Sequence, residues 1–427
     1  MQTIVIAGGG AGGLELATRL GDSLGRRGRA RIILVDRSPA HFWKPLLHTV
    51  ASGMRDPQVH EVQYAAQAAE HGFEFSCGEV LGVDRRRKTV SLAPYRDANG
   101  TEVLPPRTIS YDKLVLAFGA VTNFYNIPGA AEHSMTLDSV WEAEQFRKRF
   151  LACCMQASSR GTAVKLVIVG GGATGVELAA ELSHAVRELA RYNVHALDPE
   201  RDVHISLVER GELLLPHLNP RLSRRAARHL ASLGIGVLAS TTVARVERDA
   251  VVDAAGTRHP SDMTLWAAGV EGPQVCATMG LALNRLGQII VTPCLQTLED
   301  RDIFAIGDCS SYVCPSSGAA VPPRAQVAHQ QAMYLAEILS SDRGSERPPF
   351  RYRDYGSLVS LGPVAAVGSL LCSNPEREML VGGIAARVLY GLMYQKHVMA
   401  LHGFLRMAAQ SLAHWLRGKV TPPVKLH

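Results

Sequence analysis

Residues 3–20 read TIVIAGGGAGGLELATRL, an apolar run followed at once by a cluster of glycines. The run Ile4–Ala7 predicts a buried strand, and Leu14 begins a predicted helix. Between them, Gly8, Gly10 and Gly13 have G-x-G-x-x-G spacing. In such a turn the first glycine allows the tight bend, the second lets the backbone approach a pyrophosphate, and the third lets helix and strand pack closely. Phosphates then bind at the positive end of the helix. The stretch therefore predicts a dinucleotide-binding fold.

A carboxylate in the expected place strengthens this interpretation. The next apolar run, RIILVDR (31–37), ends at Asp36, whose carboxylate can accept hydrogen bonds from a ribose diol. The dinucleotide-binding fold is predicted more strongly by the combination of strand, glycine turn, helix, second strand and acid than by the glycines alone.

The same pattern recurs at residues 165–182, KLVIVGGGATGVELAAEL. Its glycines are Gly170, Gly172 and Gly175, and its acid is Glu209, at the end of HISLVER (204–210). A negative residue here favours a free ribose hydroxyl over a 2′-phosphate, so we expect NADH to be preferred to NADPH. The adjacent Arg210 opposes that preference.

Two dinucleotide folds in one chain predict two dinucleotides, a resident flavin and a visiting nicotinamide. The segment DIFAIGDCS (302–310) predicts a strand that returns to the first fold and ends at Gly307-Asp308. Residues 111–120 and 263–270 also predict strands that end in small residues, each closing one nucleotide fold. The first domain is therefore expected to be discontinuous, with the second inserted into it.

The expected fold class is α/β, with two Rossmann-like domains and a C-terminal membrane-associating domain. The predicted boundaries are 1–120 and 276–345 for the FAD-binding domain, 121–160 for a connection, 161–275 for the NADH-binding domain and 346–427 for the C-terminal domain.

Composition excludes several other classes of protein. The 427 residues are 47% hydrophobic and 20% charged, with a net charge of +6 that is too diffuse to indicate nucleic-acid binding. The eight cysteines lack the spacing of a zinc site, so no metal is predicted. Met1 runs straight into a predicted strand, so we expect no secretory signal. The longest apolar stretch, 358–372, is broken by glycines and a proline and predicts paired strands instead of a membrane span.

At this point the chain resembles the type II NADH:quinone oxidoreductases, within the two-dinucleotide-binding-domain flavoproteins. The resemblance covers nearly the whole chain. It rests on both glycine turns, on ILVDRSPAHFWKPLLHTVASG (33–53), on NFYNIPGAAEHSMTLDSVWEA (123–143) and on WAAGV (266–270). Its most specific part is AQVAHQQ (325–331), which is similar to the A-Q-x-A-x-Q-Q pattern of that family.

The resemblance implies non-covalent FAD, hydride transfer from NADH, and two-electron reduction of a membrane quinone without proton pumping. It assigns FAD binding to Gly8, Gly10, Gly13, Asp36, Lys44, Gly119, Gly307 and Asp308. It assigns NADH binding to Gly170, Gly172, Gly175 and Glu209. The implied catalytic residues are Gln326, Gln330 and His329 at the quinone, Glu177 near the nicotinamide and flavin, and Lys396 at the flavin end of the quinone tunnel.

The glutamines also have a physical reason to be there. A quinone is an apolar ring with two carbonyl acceptors, which suits a mostly apolar site with a few neutral donors. Gln326 and Gln330 lie four residues apart, so a helix would place them on one face. The competing interpretation is that they and His329 are ordinary helix-surface residues. Glu177 likewise has a simpler interpretation, as an acid that complements a helix dipole.

The C-terminal segment 384–419 predicts a basic amphipathic helix. His402, Arg406, Gln410 and His414 recur every four residues, while Val398, Leu401, Leu405, Ala408, Leu412, Trp415 and Leu416 occupy the opposite face, with Arg387, Lys396, Arg417 and Lys419 adding charge. Such a helix suits a membrane interface, and we expect peripheral attachment to the cytoplasmic face of the cell membrane. The alternative is a helix packed on its own domain or in a homodimer.

Two other functions stay open from the sequence. A sulfide:quinone oxidoreductase needs a pair of cysteines flanking the flavin, and Cys153, Cys154, Cys309 and Cys314 are candidates. A non-catalytic flavoprotein that senses NADH would carry the same nucleotide motifs.

Overall fold

The computed structural model describes residues 1–97, 99–194, 197–315, 318–341, 348–371, 378–417 and 424–425. Its chain forms two compact units. Unit 1 comprises Met1–Trp43, His60–Val121 and Val270–Arg353, and unit 2 comprises Lys44–Val59, Thr122–Gly269 and Asp354–His427. The chain thus leaves the first unit and returns to it, as the sequence predicts. The finer domain boundaries stay a prediction.

The α-helices of the described residues are α1 (Ala11–Leu20), α2 (Leu47–Ala51), α3 (Tyr64–His71), α4 (Ala130–His133), α5 (Val140–Arg160), α6 (Ala173–Arg191), α7 (Pro199–Asp202), α8 (Pro220–Ser232), α9 (Ala325–Ser340) and α10 (Ile384–Arg417). The strands are β1 (Gln2–Ala7), β2 (Ala30–Asp36), β3 (Ala40–His41), β4 (Val62–Gln63), β5 (Glu74–Cys77), β6 (Val80–Asp84), β7 (Thr89–Leu92), β8 (Tyr95–Arg96), β9 (Glu102–Leu104), β10 (Arg107–Ser110), β11 (Lys113–Leu116), β12 (Val121–Thr122), β13 (Ser134–Met135), β14 (Val164–Val169), β15 (Val203–Val208), β16 (Gly236–Leu238), β17 (Val243–Glu247), β18 (Ala250–Asp253), β19 (Arg258–Pro260), β20 (Met263–Trp266), β21 (Val270–Glu271), β22 (Ile289–Ile290), β23 (Ile303–Ala305), β24 (Ser310–Ser311), β25 (Gly356–Ser360), β26 (Ala366–Leu371) and β27 (Glu378–Gly382).

Unit 1 is built on a parallel sheet with strand order β23-β11-β1-β2-β5. The residues Ile4–Ala7 of its central strand are fully buried, as expected for a strand covered on both faces. Strand order reverses beside β1, and ligands of such sheets bind at this point, outside the carboxyl ends of the strands. The pairing of β23 with β11 confirms that residues 302–310 return to the first fold.

Unit 2 contains a second parallel sheet, in the order β13-β20-β14-β15-β16. Its central strand β14 precedes the second glycine turn, so both nucleotide motifs have the same place in their sheets. Unit 2 also contains the antiparallel sheet β25-β26-β27, followed by α10. The pairing of Ser360 with Ala366 confirms the paired strands predicted for residues 358–372.

The structure corrects two details of the predicted helices. Helix α1 begins at Ala11, three residues before the predicted start at Leu14. The glycines that suggested a later start lie in the first turn of the helix, where other backbone segments approach closely. The prediction of one continuous polar stripe on α10 is also wrong. Gly403 has φ 75° and ψ 173°, a conformation essentially restricted to glycine, and it divides the helix in two.

The two halves of α10 expose their apolar residues differently. In the first half Val398 and Leu401 are buried, whereas in the second half Phe404 and Leu405 are 66% and 82% exposed. The side chains of His414, Trp415 and Arg417, together with Lys419, lie outside the described residues. Among the helices that are described, none is long and apolar enough to cross a membrane.

Candidate active site

The first glycine turn can be formed only by glycine at two positions. Gly8 has φ 109°, and a Cβ there would meet the carbonyl of Ala117. A Cβ on Gly13 would meet the carbonyl of Gly8, so the third glycine lets α1 pack directly against the turn. Among the described residues, no side chain caps α1 at Gly10. The first N–H groups of the helix can therefore donate to a pyrophosphate.

Asp36 is fixed beside this turn by hydrogen bonds. The Gly9 N–H donates to its Oδ2 at 2.6 Å, and the Ser38 N–H donates to its Oδ1 at 2.8 Å. Burial raises the pKa of Asp36. A carboxylate held in this way keeps further acceptor capacity for a ribose hydroxyl, so the predicted FAD residues of this turn fit the cofactor.

The other residues of unit 1 that are predicted to bind FAD follow the carboxyl ends of two neighbouring strands. Gly119 follows β11 with φ 72° and open space at its missing Cβ. Gly307 and Asp308 follow β23, and Gly307 has φ 70°. The Gly307 N–H donates to the Oε1 of Gln331 at 2.7 Å, which fixes this loop to α9.

The second turn repeats the geometry of the first. Gly170 has φ 114°, and its Cβ would meet the carbonyl of Ala267, while a Cβ on Gly175 would meet the carbonyl of Gly170. Within the part of the chain that the structure describes, the space beside Gly172 is open and no side chain caps α6 there. Both turns therefore satisfy the steric requirements for a bound pyrophosphate.

Glu209 has the same relation to the second turn as Asp36 has to the first. The Gly171 N–H donates to its Oε2 at 2.7 Å, and the Gly211 N–H donates to its Oε1 at 2.7 Å. The longer connection between turn and acid in this half therefore leaves the acid in the same place. NADH, with its free ribose hydroxyls, fits this acid.

Helix α9 carries the predicted quinone residues. It contains Gln326 and Gln330, which confirms the predicted helix. The Gln330 side chain donates to the carbonyl of Arg353 at 2.8 Å and accepts from the Arg353 N–H at 3.0 Å. His329 Nδ1 lies 2.5 Å from Oε2 of the buried Glu15 on α1. The structure thus places His329 in a contact between two helices of unit 1.

Unit 2 contains a buried cluster around Glu177. Its Oε1 accepts a hydrogen bond from the Ser360 N–H at 2.9 Å, and its Oε2 lies 3.5 Å from Nδ1 of His48. Tyr390 forms a further hydrogen bond to the carboxyl group. Glu181, one turn further along α6, is buried as well. The cluster therefore joins α2, α6, β25 and α10.

Burial controls protonation in this cluster. It raises the pKa of Glu177 to about 8 and that of Glu181 to about 7, although Arg387 and Arg55 lower the pKa of Glu181. Burial also lowers the pKa of His48 to about 3, with Arg55 acting in the same direction. At neutral pH Glu177 therefore holds a proton while His48 is uncharged.

The sequence identifies Glu177 but not its surroundings. Glu181 has a detectable signal, because it lies four residues after Glu177 in VELAAEL and so shares its helix face. His48, Ser360 and Tyr390 come from distant parts of the chain and have no local signal. The predicted lysines make other contacts: Lys44 Nζ lies 3.1 Å from Oδ1 of Asp138, and Lys396 lies over the ring of Tyr355.

Three of the four candidate cysteines, Cys153, Cys154 and Cys309, have raised pKa values. Cys309 is fully buried and its Sγ donates to the carbonyl of Ile306 at 3.3 Å. Burial raises the pKa of Cys309, Cys153 and Cys154, in the last case to about 12. A reactive thiol needs the opposite shift, because the thiolate is the nucleophile.

Comparison with known proteins agrees with this geometry. Residues 2–332 match the family described as pyridine nucleotide-disulphide oxidoreductase. The chain is 37% identical to a type II NADH:quinone oxidoreductase of Haemophilus influenzae, over the full length of both chains. It belongs to the type II NADH:quinone oxidoreductases. The family resemblance found in the sequence is thereby confirmed, and FAD and NADH are the cofactors of this family.

Two further matches are more distant than this relative. Demethylphylloquinone reductase NdbB of Synechocystis is 29% identical, with 97% of this chain and 98% of the relative covered. A solved structure of NDH2 from Plasmodium falciparum in complex with NADH has a TM-score of 0.83 at 19% identity, covering 99% of this chain and all of that one. At this identity the structure supports the predicted fold.

Proposed function

We propose that the protein oxidises NADH and reduces a membrane quinone by two electrons through FAD, without pumping protons. The observation that carries this proposal is the pair of complete nucleotide turns, each with an acid bonded to a glycine amide, in a member of this family. FAD, when bound, accepts a hydride and passes its electrons to the second substrate. The chain's own residues bind, orient and supply protons.

Protons are needed because quinone reduction consumes two of them. Glu177 is our proposed proton-holding group, since burial keeps it protonated at neutral pH. Its hydrogen bond from Ser360 fixes the carboxyl group in place. Among the other predicted groups, Lys396 and His329 stay candidates, and Lys44 stays a predicted contact to FAD.

We assign the quinone head group to Gln326 and Gln330. Both lie on α9, whose buried Gln331 is bonded to the loop at Gly307. Amide donors match quinone carbonyls without the desolvation cost of a charge.

Membrane attachment is proposed to use the second half of α10. Phe404, Leu405, Leu412 and Leu416 are all more than half exposed there, although each would gain free energy by leaving water. Attachment at the cytoplasmic face, and a homodimer, stay predictions.

Stopped-flow measurement of the purified FAD-containing protein tests the function. We expect NADH to bleach the flavin rapidly and a short-chain quinone to restore its colour rapidly. Bleaching by sulfide and not by NADH would contradict the proposal in favour of a sulfide:quinone oxidoreductase. Bleaching without recovery would favour an NADH-sensing protein.

The quinone site is tested in the same experiment. Gln326→Ala should slow recovery by about tenfold, the loss of one hydrogen bond, and leave bleaching unchanged. The control is Gln156→Ala, on the exposed surface of α5, which should change neither step. Equal rates in Gln326→Ala and the unmodified protein would remove Gln326 from the site.

A further inference from the structure

Helix α8 of unit 2 presents a row of positive charge. Arg221, Arg224, Arg225 and Arg228 have i, i+3, i+4, i+7 spacing and therefore share one face of the helix. All four are exposed. None forms an ion pair with a described residue, and α8 itself contains no acidic residue. Arg258, by contrast, forms ion pairs with Glu247 and Asp249.

This row borders a cleft of about 490 Å³. One wall consists of Arg225, Arg228 and His229, and the other comes from the turn between β25 and β26, the start of β26, and Gly383. The ring of His229 is fixed by a 3.0 Å contact between its Nε2 and the carbonyl of Leu361. None of the described residues that line the cleft is acidic. The cleft thus offers two guanidinium groups over a small apolar floor.

The Arg225 head group lies close to the opposite wall. Its guanidinium approaches the position that a Cβ at Gly382 would occupy. Arg225 therefore lies beside the start of α10. A guanidinium with free N–H donors in this position is suited to bind a phosphate oxygen pair.

The rim of the cleft is apolar and exposed. Val364 directly precedes the lining residue Ala365, and Ile384 directly follows Gly383; they are 64% and 76% exposed. Val388, one turn along α10 from Ile384, is 58% exposed. A free phosphate or an acidic nucleotide would leave this rim in water. A lipid would cover it with its acyl chains.

We propose that the cleft binds the phosphate head group of an anionic phospholipid, with Arg225 and Arg228 on the phosphate and Val364, Ile384 and Val388 against the acyl region. The inference deepens the proposed membrane attachment and rests on it. It adds a second contact with the membrane and a preference for negatively charged lipid. A basic group near an anionic membrane surface strengthens binding by about fivefold.

Vesicle co-sedimentation of the full-length FAD protein tests this inference. The two probes are vesicles of phosphatidylcholine alone and vesicles in which about a third of the lipid is phosphatidylglycerol. We expect tighter binding to the anionic vesicles. The double variant Arg225→Gln/Arg228→Gln should lose about 25-fold of that binding, from two contributions of about fivefold. It should lose much less of its binding to neutral vesicles, where choline cancels the charge of each phosphate.

A matched control removes the same charge elsewhere. Arg86 and Arg285 of unit 1 are exposed, and neither side chain forms an ion pair with a described residue. The double variant Arg86→Gln/Arg285→Gln should change binding to anionic vesicles by less than about twofold. Equal losses in the two double variants would reduce the effect to net charge and overturn the site. Equal binding of the unmodified protein to both kinds of vesicle would overturn it as well.

Turnover separates this inference from the proposed function. NADH oxidation with a water-soluble quinone should be unchanged in Arg225→Gln/Arg228→Gln, because neither arginine lies in a nucleotide turn. If soluble-quinone turnover is present and no vesicle is bound, the lipid site fails while the enzymatic function stands. If anionic vesicles are bound as expected and turnover with a soluble quinone is absent, the enzymatic function fails while the lipid site stands.

Discussion

The carboxyl group of Glu177 accepts the amide hydrogen of Ser360 at 2.9 Å, although the two residues are separated by 183 positions in the chain. The contact ties α6, which begins at the second glycine turn, to the end of β25. It also places a protonated acid in the interior, because burial raises the pKa of Glu177 to about 8. Stability and pH should therefore be linked through this residue.

We expect Glu177→Gln to flatten the dependence of stability on pH. Between the ordinary glutamate pKa near 4.5 and about 8, the unfolded chain has released the proton that the folded protein keeps. The contribution of Glu177 to the free energy of unfolding is therefore full below pH 4.5 and is lost as the pH rises through 8. Glutamine does not titrate, so the thermal midpoint of the variant should rise relative to the unmodified protein between pH 5 and pH 8.5.

The control for this experiment is Glu200→Gln, since Glu200 is exposed at the start of α7. Its pH profile should run parallel to that of the unmodified protein. A parallel profile for Glu177→Gln would mean that Glu177 is ionised in the folded protein, contrary to the proton-holding role.

Glu209→Gln should weaken the preference for NADH over NADPH. The carboxylate is bonded to the amides of Gly171 and Gly211, where it repels a 2′-phosphate, and the neighbouring Arg210 would attract one. Removing the negative charge should raise the ratio of kcat/KM for NADPH to that for NADH by about tenfold, equivalent to about 1.4 kcal/mol. Steady-state kinetics with both nucleotides measures it.

Glu212→Gln provides the comparison for charge alone, because Glu212 is exposed three residues further along the chain. A similar rise in both variants would show a general effect of charge and argue against a ribose contact by Glu209.

Gln331→Ala should destabilise unit 1 by about 1–3 kcal/mol, the cost of a buried donor left unsatisfied. Gln331 is fully buried, and its Oε1 accepts the amide hydrogen of Gly307. Alanine would leave that amide without its partner. Denaturant unfolding followed by circular dichroism measures the change.

Gln330→Ala, one position earlier, is the matched substitution. Its hydrogen bonds to Arg353 are more exposed, so the loss should be smaller, at most about 1 kcal/mol. If the order of the two effects were reversed, Gln330 would hold α9 in place and Gln331 would not.

The fold was largely predictable because its decisive features are local. Both turns combine a buried strand, glycines and a helix within eighteen residues, and a Cβ at Gly8 or Gly170 would collide with a neighbouring carbonyl. The sequence therefore shows where each turn must be. The predicted start of α1 was less accurate. Gly12 and Gly13 are unfavourable residues for a helix, but they lie where Ala328 and Gly8 approach the backbone of α1.

The surroundings of the site were much harder to predict. Glu177 stands in a recognisable motif, but His48 and Ser360 reach it only through tertiary packing. The break in α10 was also missed, because the four-residue polar periodicity continues across Gly403 while its backbone does not. Periodicity reports which residues would share a face of a straight helix, and it cannot report that the helix bends.

Membrane binding should depend on the apolar residues that follow this break. Phe404→Ser/Leu405→Ser should lower binding to neutral and to anionic vesicles alike by at least about tenfold, since each side chain gains about 1.5–3 kcal/mol on leaving water. The control is Leu286→Ser/Leu298→Ser, which changes two exposed leucines of unit 1. Retained binding of the first variant would exclude the second half of α10 as the anchor.

The nucleotide turns of the two units make the same backbone contacts. The collision that excludes a Cβ at Gly8 recurs at Gly170, and the bond between Asp36 and Gly9 recurs between Glu209 and Gly171. One backbone arrangement therefore serves two different dinucleotides in a single chain. The stretch between turn and acid is longer in the second unit, while the turn itself makes the same contacts.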